Sequence, residues 1–282
     1  MRYLFLHVPK TAGSMFRAII QRNFGNEAAI ENPFLSTHIY TPSEIDSLFK
    51  LYPYRIYSGH VFRLRPALTA CDATLQLIAF VRDPVEKARS AYYYLADREM
   101  TRDDHLVKRH TFLEMVDYVV SNRIEDSFVL DSSQLDWLVG KQDASLGDVE
   151  PSVRDGRLVL LPTEQFDLAC VILERLFPAD FRDCSYGQKH NVSHRGSANT
   201  EDVEREAAQR LPWIEKDRLL YQYAQSNIRT LAGRIFTNPK SLDDAMRNFR
   251  QRCANRVLGA SAHKLEVGFW RRAARRVKGR LN

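Results

Sequence analysis

The sequence predicts an α/β fold: a central parallel sheet between two layers of helices, with a helical extension at the C-terminus. Two observations carry that expectation. Residues 3–8, 75–81 and 157–161 are short, nearly unbroken apolar runs, the composition of strands buried on both faces. Each leads through a turn into apolar residues at helical spacing, and strands alternating with helices build parallel sheets.

The elements follow in order. The run 3–8, with His7 inside it as a buried structural group, passes through Pro9-Lys10-Thr11-Ala12-Gly13-Ser14 into a helix. The apolar face of that helix is Met15, Phe16, Ile19 and Ile20, and it closes near Gly25. Thr41-Pro42-Ser43-Glu44 opens a second helix, with a threonine N-cap, proline at the first position and glutamate three residues on. Residues 54–62 read as a strand ending at Ser58-Gly59, and 75–81 as a strand feeding a helix over 84–96. Residues 97–110 read as a surface loop, 111–120 and 126–139 as helices, and 140–156 as a loop rich in Gly, Asp and Ser. The third apolar run precedes an amphipathic helix over 164–177. An irregular basic segment follows over 178–200, then helices over 200–211 and 213–231. Ligands of parallel sheets bind at the carboxyl ends of the strands, which puts the loops at 9–14, 58–63 and 82–84 on one rim.

At 282 residues, 44% apolar and 27% charged, the chain is long enough for one large core and is neither disordered in composition nor repetitive. No apolar run is long enough to span a membrane, and the first strand begins too early for a secretory signal, so a cytoplasmic location is expected. Cys71, Cys170, Cys184 and Cys253 are widely spaced, which argues against a zinc site and a disulfide scaffold, and no metal is expected. Charge is uneven. Residues 231–282 hold thirteen Lys/Arg against three Asp/Glu, whereas residues 1–230 are slightly acidic. The division expected is a main domain over 1–230 and a basic helical extension over 231–282.

The first loop is a candidate anion site. A strand, a small-residue turn and a helix aim unpaired backbone N–H groups and a helix dipole at one point. Lys10 adds a cation, and Thr11 and Ser14 add hydroxyls. The lysine precedes the glycine, unlike the nucleoside triphosphatase loop, where Gly-Lys-Ser/Thr closes the motif. His7-Val8-Pro9-Lys10-Thr11-Ala12-Gly13-Ser14 instead resembles the P-loop-like 5′-phosphosulfate loop of sulfotransferases that use 3′-phosphoadenosine 5′-phosphosulfate (PAPS), and more narrowly that of carbohydrate O-sulfotransferases. The resemblance implies that Lys10, Thr11, Ala12, Gly13, Ser14 and Met15 hold the phosphosulfate.

The second site follows the strand 75–81. Arg82 leaves the strand end with a planar fork suited to phosphate, Asp83 can cap the next helix, and Pro84 suits its first position. Ser90 lies eight residues on. In the sulfotransferases this segment resembles, Arg-Asp-Pro and a serine at this spacing bind the 3′-phosphate of PAPS, which implies that role for Arg82 and Ser90. Lys189-His190-Asn191-Val192-Ser193-His194-Arg195 is similar to a later family segment near the adenosine, and implies that Arg195 reaches the nucleotide. The resemblance spans about residues 3–230.

Sulfuryl transfer needs a base for the acceptor hydroxyl, in-line alignment, and neutralisation of charge on the departing phosphate. Lys10 suits the last task, and His60, between the two anion loops, suits the first. Gly59-His60-Val61 is similar to the segment carrying the catalytic histidine in heparan sulfate and dermatan sulfate uronyl 2-O-sulfotransferases, although Ser58 stands where the heparan enzyme has a second histidine. Glu164, after the third strand, is the competing base, as tyrosylprotein sulfotransferases use a glutamate; an acid in a first helical turn is its bland role. The expected acceptor is a hydroxyl of a glycan or glycolipid. Rival expectations are a tyrosyl or small-molecule acceptor, a kinase with an unusual loop, and a non-catalytic nucleotide-binding or membrane module. In the tail, Arg271-Arg272-Ala273-Ala274-Arg275-Arg276-Val277-Lys278 beside Phe269 and Trp270 reads either as a solvated helix or as a peripheral contact for anionic membrane, and no motif for reading nucleic acid is present.

Overall fold

The computed structural model describes residues 1–30, 41–64, 74–96, 110–122, 133–187 and 198–259. Its centre is a five-stranded, wholly parallel sheet of β1 (Arg2–Leu6), β2 (Ala28–Ile30), β3 (Ile56–Gly59), β4 (Leu75–Val81) and β5 (Leu158–Pro162), in the order β2-β3-β1-β4-β5. Leu4 pairs with Tyr57 on one side and Leu77 on the other, and Ala79 continues the ladder to Leu160.

Side chains leave these strands alternately toward two cores. Leu4, Leu6, Tyr57, Leu77, Ala79 and Leu160 meet Ile45 and Phe49 of α2 (Pro42–Leu51), Leu135 and Leu138 of α5 (Gln134–Val139), and Val153 of α6 (Glu150–Arg154). Tyr3, Phe5, Ile56, Ile78, Phe80 and Leu161 meet Phe16 and Ile19 of α1 (Gly13–Phe24) and Ile172 of α7 (Phe166–Leu176). Apolar residues on both faces explain the unbroken runs in the sequence. A smaller cluster joins α3 (Pro84–Ala96), α4 (Phe112–Asn122) and α8 (Ala198–Ala208).

The C-terminal helices belong to the same body. Helix α9 (Ile214–Ile235) serves both faces of the sheet, with Leu220, Tyr221 and Ala224 in the first core and Ile228 and Ala232 in the second. Helix α10 (Pro239–Gly259) buries Phe249 completely in the second core. That ring contributes on the order of 2–3 kcal/mol. The bridge from Arg252 to Glu174 beside it is partly exposed and adds about 0.2–1 kcal/mol, so packing holds the helix.

Three expectations need correction. The first strand ends at Leu6, so His7 lies just beyond it, in the loop. The helix expected over 126–139 begins at Gln134, because Ser133 stands outside it and its hydroxyl accepts from the amides of Leu135 and Asp136; residues 126–132 lie outside the described residues. The loop expected over 140–156 contains a 3₁₀ turn at Leu146–Asp148 and α6. The edge strand β2 has no counterpart among the elements read from the sequence, since three residues are too few for a periodic signal. Cys71, Arg195, the loop 97–109 and the basic stretch 271–278 lie outside the described residues.

Candidate active site

Because the sheet is parallel, the segments after β1, β3, β4 and β5 share one rim. The first of them is bent by its own backbone. Lys10 and Ala12 have left-handed φ of 65° and 62°, and Thr11 between them does not. Alternating handedness turns successive amides toward one point, the geometry of an anion-binding nest. Each left-handed non-glycine residue costs about 1 kcal/mol, so the bend is held against its own strain. The Thr11 hydroxyl, fully buried, donates to the Val8 carbonyl at 2.8 Å and ties the loop.

The start of α1 suits an anion. Ala12 is its N-cap, no side chain caps it, and its first turn holds no acidic residue. The opening amides of a helix have no intrahelical acceptor, and the dipole there favours negative charge. The Met15 amide, like that of Phe16, already donates to the Ala12 carbonyl at 3.1 Å, and the Met15 side chain is buried in the second core. Ser14 is exposed on the first turn. Gly13 is required by space, since a Cβ there would lie 1.6 Å from His7 Nε2.

Arg82 joins the two loops. Its Nη1 donates to the Lys10 carbonyl at 3.3 Å, and its Nε lies 3.8 Å from a Glu164 carboxylate oxygen. Asp83 caps α3, accepting from the Glu86 amide at 3.0 Å, while its own amide donates to Glu164 at 3.1 Å. The Gln134 side chain holds the Arg82 main chain, accepting from its amide and donating to its carbonyl, both at 2.8 Å. Burial pushes the Glu164 carboxyl up, against the pull of the amides and Arg82. Ser90 is half-buried on α3, and Lys10 Nζ lies 3.7 Å above the centre of the Tyr94 ring near the end of that helix.

His60 follows β3 directly. Its Nδ1 lies 2.8 Å from the His7 carbonyl. A carbonyl only accepts, so Nδ1 carries the proton and Nε2 is left with the lone pair of a base. The rings of His60 and His7 stack at 3.9 Å, and Trp137 of α5 meets His60 edge-on at 6.1 Å. Burial first, then the positive charges of Arg17 and Arg63, holds the His60 pKa down to about 4, partly offset by the bond to His7. Burial pushes His7 well below its ordinary value too, and the charges of His60, Arg17 and Lys10 add to this. Its Nδ1 is buried with no hydrogen-bond partner among the described residues. Both rings are therefore neutral at pH 7.

The rim as a whole is cationic. Lys10, Arg17, Arg63 and Arg82 surround the two histidines and the first loop, a field that suits a polyanion. Among the described residues no cluster of three or more His, Cys, Asp or Glu side chains is placed to hold a metal, and no helix is long and apolar enough to cross a membrane.

No protein-family model and no curated protein matches the chain. Among solved structures, mouse sulfotransferase SULT7A1 complexed with PAP is similar, at 14% identity over 89% of each chain and a TM-score of 0.39. A likeness of that order supports no conclusion about this chain.

The structure thus brings Lys10, Ala12, Gly13, Arg82 and His60 to one rim, with Glu164 beside Arg82. Sequence reasoning missed Gln134, Arg17, Tyr94 and Trp137. Ser58 has a structural role, its buried hydroxyl accepting from Arg17 Nε at 3.4 Å. A second imidazole does stand beside His60, but it is His7, supplied by the loop after β1.

Proposed function

We propose that the chain is a PAPS-dependent sulfotransferase acting on a hydroxyl of a carbohydrate or glycolipid. The observation that carries this is a neutral imidazole with its lone pair on Nε2, set beside a strained, cation-rimmed anion loop. The residues fit a nucleotide with two phosphate groups: the first loop and the open start of α1 for the phosphosulfate, Arg82 for the 3′-phosphate. Bound there, PAPS supplies an activated sulfuryl group on a good leaving group.

The chain's own contribution follows from position and charge. His60 Nε2 takes the proton of the acceptor hydroxyl as the oxygen attacks; its depressed pKa keeps the ring free of a proton beforehand. The Lys10 ammonium neutralises charge developing on the departing phosphate, and the loop amides share that load. Glu164 is tied to Arg82 and the Asp83 amide, so it tunes nucleotide binding and is not the base.

The test is transfer of labelled sulfate from PAPS to a panel of desulfated glycosaminoglycans and glycolipids, with phenols and tyrosyl peptides for comparison. Label on a glycan or glycolipid, absent with His60→Ala, is expected. Label only on phenols or peptides would overturn the acceptor class.

A further inference from the structure

Gln134 stands outside every motif described above, yet it is placed where only a peptide group would be expected. Strand β4 ends at Val81, which pairs with Pro162 at the edge of the ladder. Arg82 is the next residue, and its main-chain N–H and C=O are both met at 2.8 Å by the Gln134 amide. The side chain does for Arg82 what another strand would do. Its orientation is fixed, because exchanging its oxygen and nitrogen would break both bonds at once.

The clamp is itself clamped. Gln134 is 1% exposed and begins α5. Asp217 of α9, fully buried, accepts from the amide of Gln134 at 2.8 Å, the amide of Leu135 at 3.2 Å and the hydroxyl of Ser133 at 2.5 Å. Lys87 of α3 supplies positive charge that offsets the burial of that carboxylate. A rigid line therefore runs from α9 through α5 to the main chain of Arg82, and the guanidinium beyond it spans the Lys10 carbonyl and Glu164. A long side chain binds an anion tightly only if its root does not have to be ordered at the moment of binding.

We propose that Gln134 is the positioning residue for Arg82, and that it sets the discrimination for a nucleotide bearing a 3′-phosphate. This rests on the nucleotide reading of the rim given above. Gln134 touches no ligand; it acts through the backbone of the residue that does. Losing it frees the Arg82 peptide to rotate and leaves two main-chain groups without their partner, so the cost falls on the 3′-phosphate and not on the 5′ end.

The experiment is calorimetric titration of the full chain with 3′-phosphoadenosine 5′-phosphate (PAP) and with 5′-AMP, which lacks the 3′-phosphate. Wild type, Gln134→Met and Gln134→Glu are compared after checking each fold by circular dichroism. Wild type is expected to favour PAP over AMP by tenfold or more. Gln134→Met, of similar length with no hydrogen-bonding groups, should reduce that ratio at least tenfold while AMP affinity changes less than twofold. Gln134→Glu keeps the acceptor for the Arg82 amide but sets an oxygen against its carbonyl, and should fall between. Equal loss for both ligands, or an unchanged ratio in both variants, would overturn the positioning role. A wild type that does not distinguish PAP from AMP would instead overturn the nucleotide reading itself. Should Gln134→Met fail to fold, Gln134→Glu alone decides.

Discussion

The imidazole of His60 lies flat against that of His7, 3.9 Å away, and its Nδ1–H is bonded to the His7 carbonyl. One residue thus fixes both the tautomer and the plane of the other. An imidazole held in this way is neutral over the whole physiological range, because burial and two arginines hold its pKa to about 4.

Activity should follow that pKa. His60→Ala is expected to lower sulfuryl transfer by 10²- to 10⁴-fold, the usual worth of a positioned base, while PAP affinity stays within twofold. In wild type the acid limb of kcat/KM should lie near pH 4, well below the 6.5 of an ordinary imidazole. An acid limb at 6 to 7 in a pH–rate profile would show that the ring is not desolvated as described.

The same shift predicts a pH dependence of stability. Between pH 6.5 and about 4 the unfolded chain binds a proton at residue 60 that the folded chain refuses. Folding stability contributed by this group is therefore present above pH 6.5 and lost as pH falls through about 4, by at most about 3 kcal/mol. Urea denaturation at pH 7 and pH 5 should show a smaller loss in His60→Gln than in wild type. Equal losses would refute the linkage.

Glu164 competes with any phosphate for Arg82. Its carboxyl is already raised by burial, and an arriving anion raises it further, so binding draws a proton onto it. Glu164→Gln should bind PAP about two- to fivefold more tightly than wild type at pH 8, the scale of a partly exposed ion pair, with the gap closing toward pH 5. Taking the ratio of the two proteins removes the titration of the ligand's own phosphates. Weaker binding in the variant would mean that Glu164 supports Arg82 instead of competing for it.

Gly13 is fixed by the His7 ring. In Gly13→Ala the new methyl would have to displace that ring, since a Cβ at this position would stand 1.6 Å from Nε2. A loss of about 1–3 kcal/mol is expected, the cost of overpacking a tight site, read from urea denaturation. Unchanged stability would show that His7 moves freely, and the stack with His60 could then not be a fixed element of the site.

What was legible in the sequence was local. The Thr41 capping box, the Asp83 cap and strand β4 are all specified within a few residues, and all three stand as read. The rim followed from the parallel sheet alone, since each of its loops follows a strand. The Gln134 clamp and the His7–His60 stack were not legible, because they join residues 52 and 53 positions apart through the tertiary packing of separate strands and helices. A buried glutamine at the start of a short helix has no periodic signal, and the serine pair before it blurred where that helix begins. The neighbour of Glu164 was hidden for a similar reason: only the fold shows that its carboxylate faces Arg82.

Calorimetry of the wild type and Arg82→Ala with PAP and with ATP tests the central proposal most directly. Tight binding of PAP in preference to ATP, weakened tenfold or more in Arg82→Ala, is the predicted result. Preference for ATP, or PAP binding indifferent to Arg82, would contradict it and favour a phosphoryl-transfer enzyme.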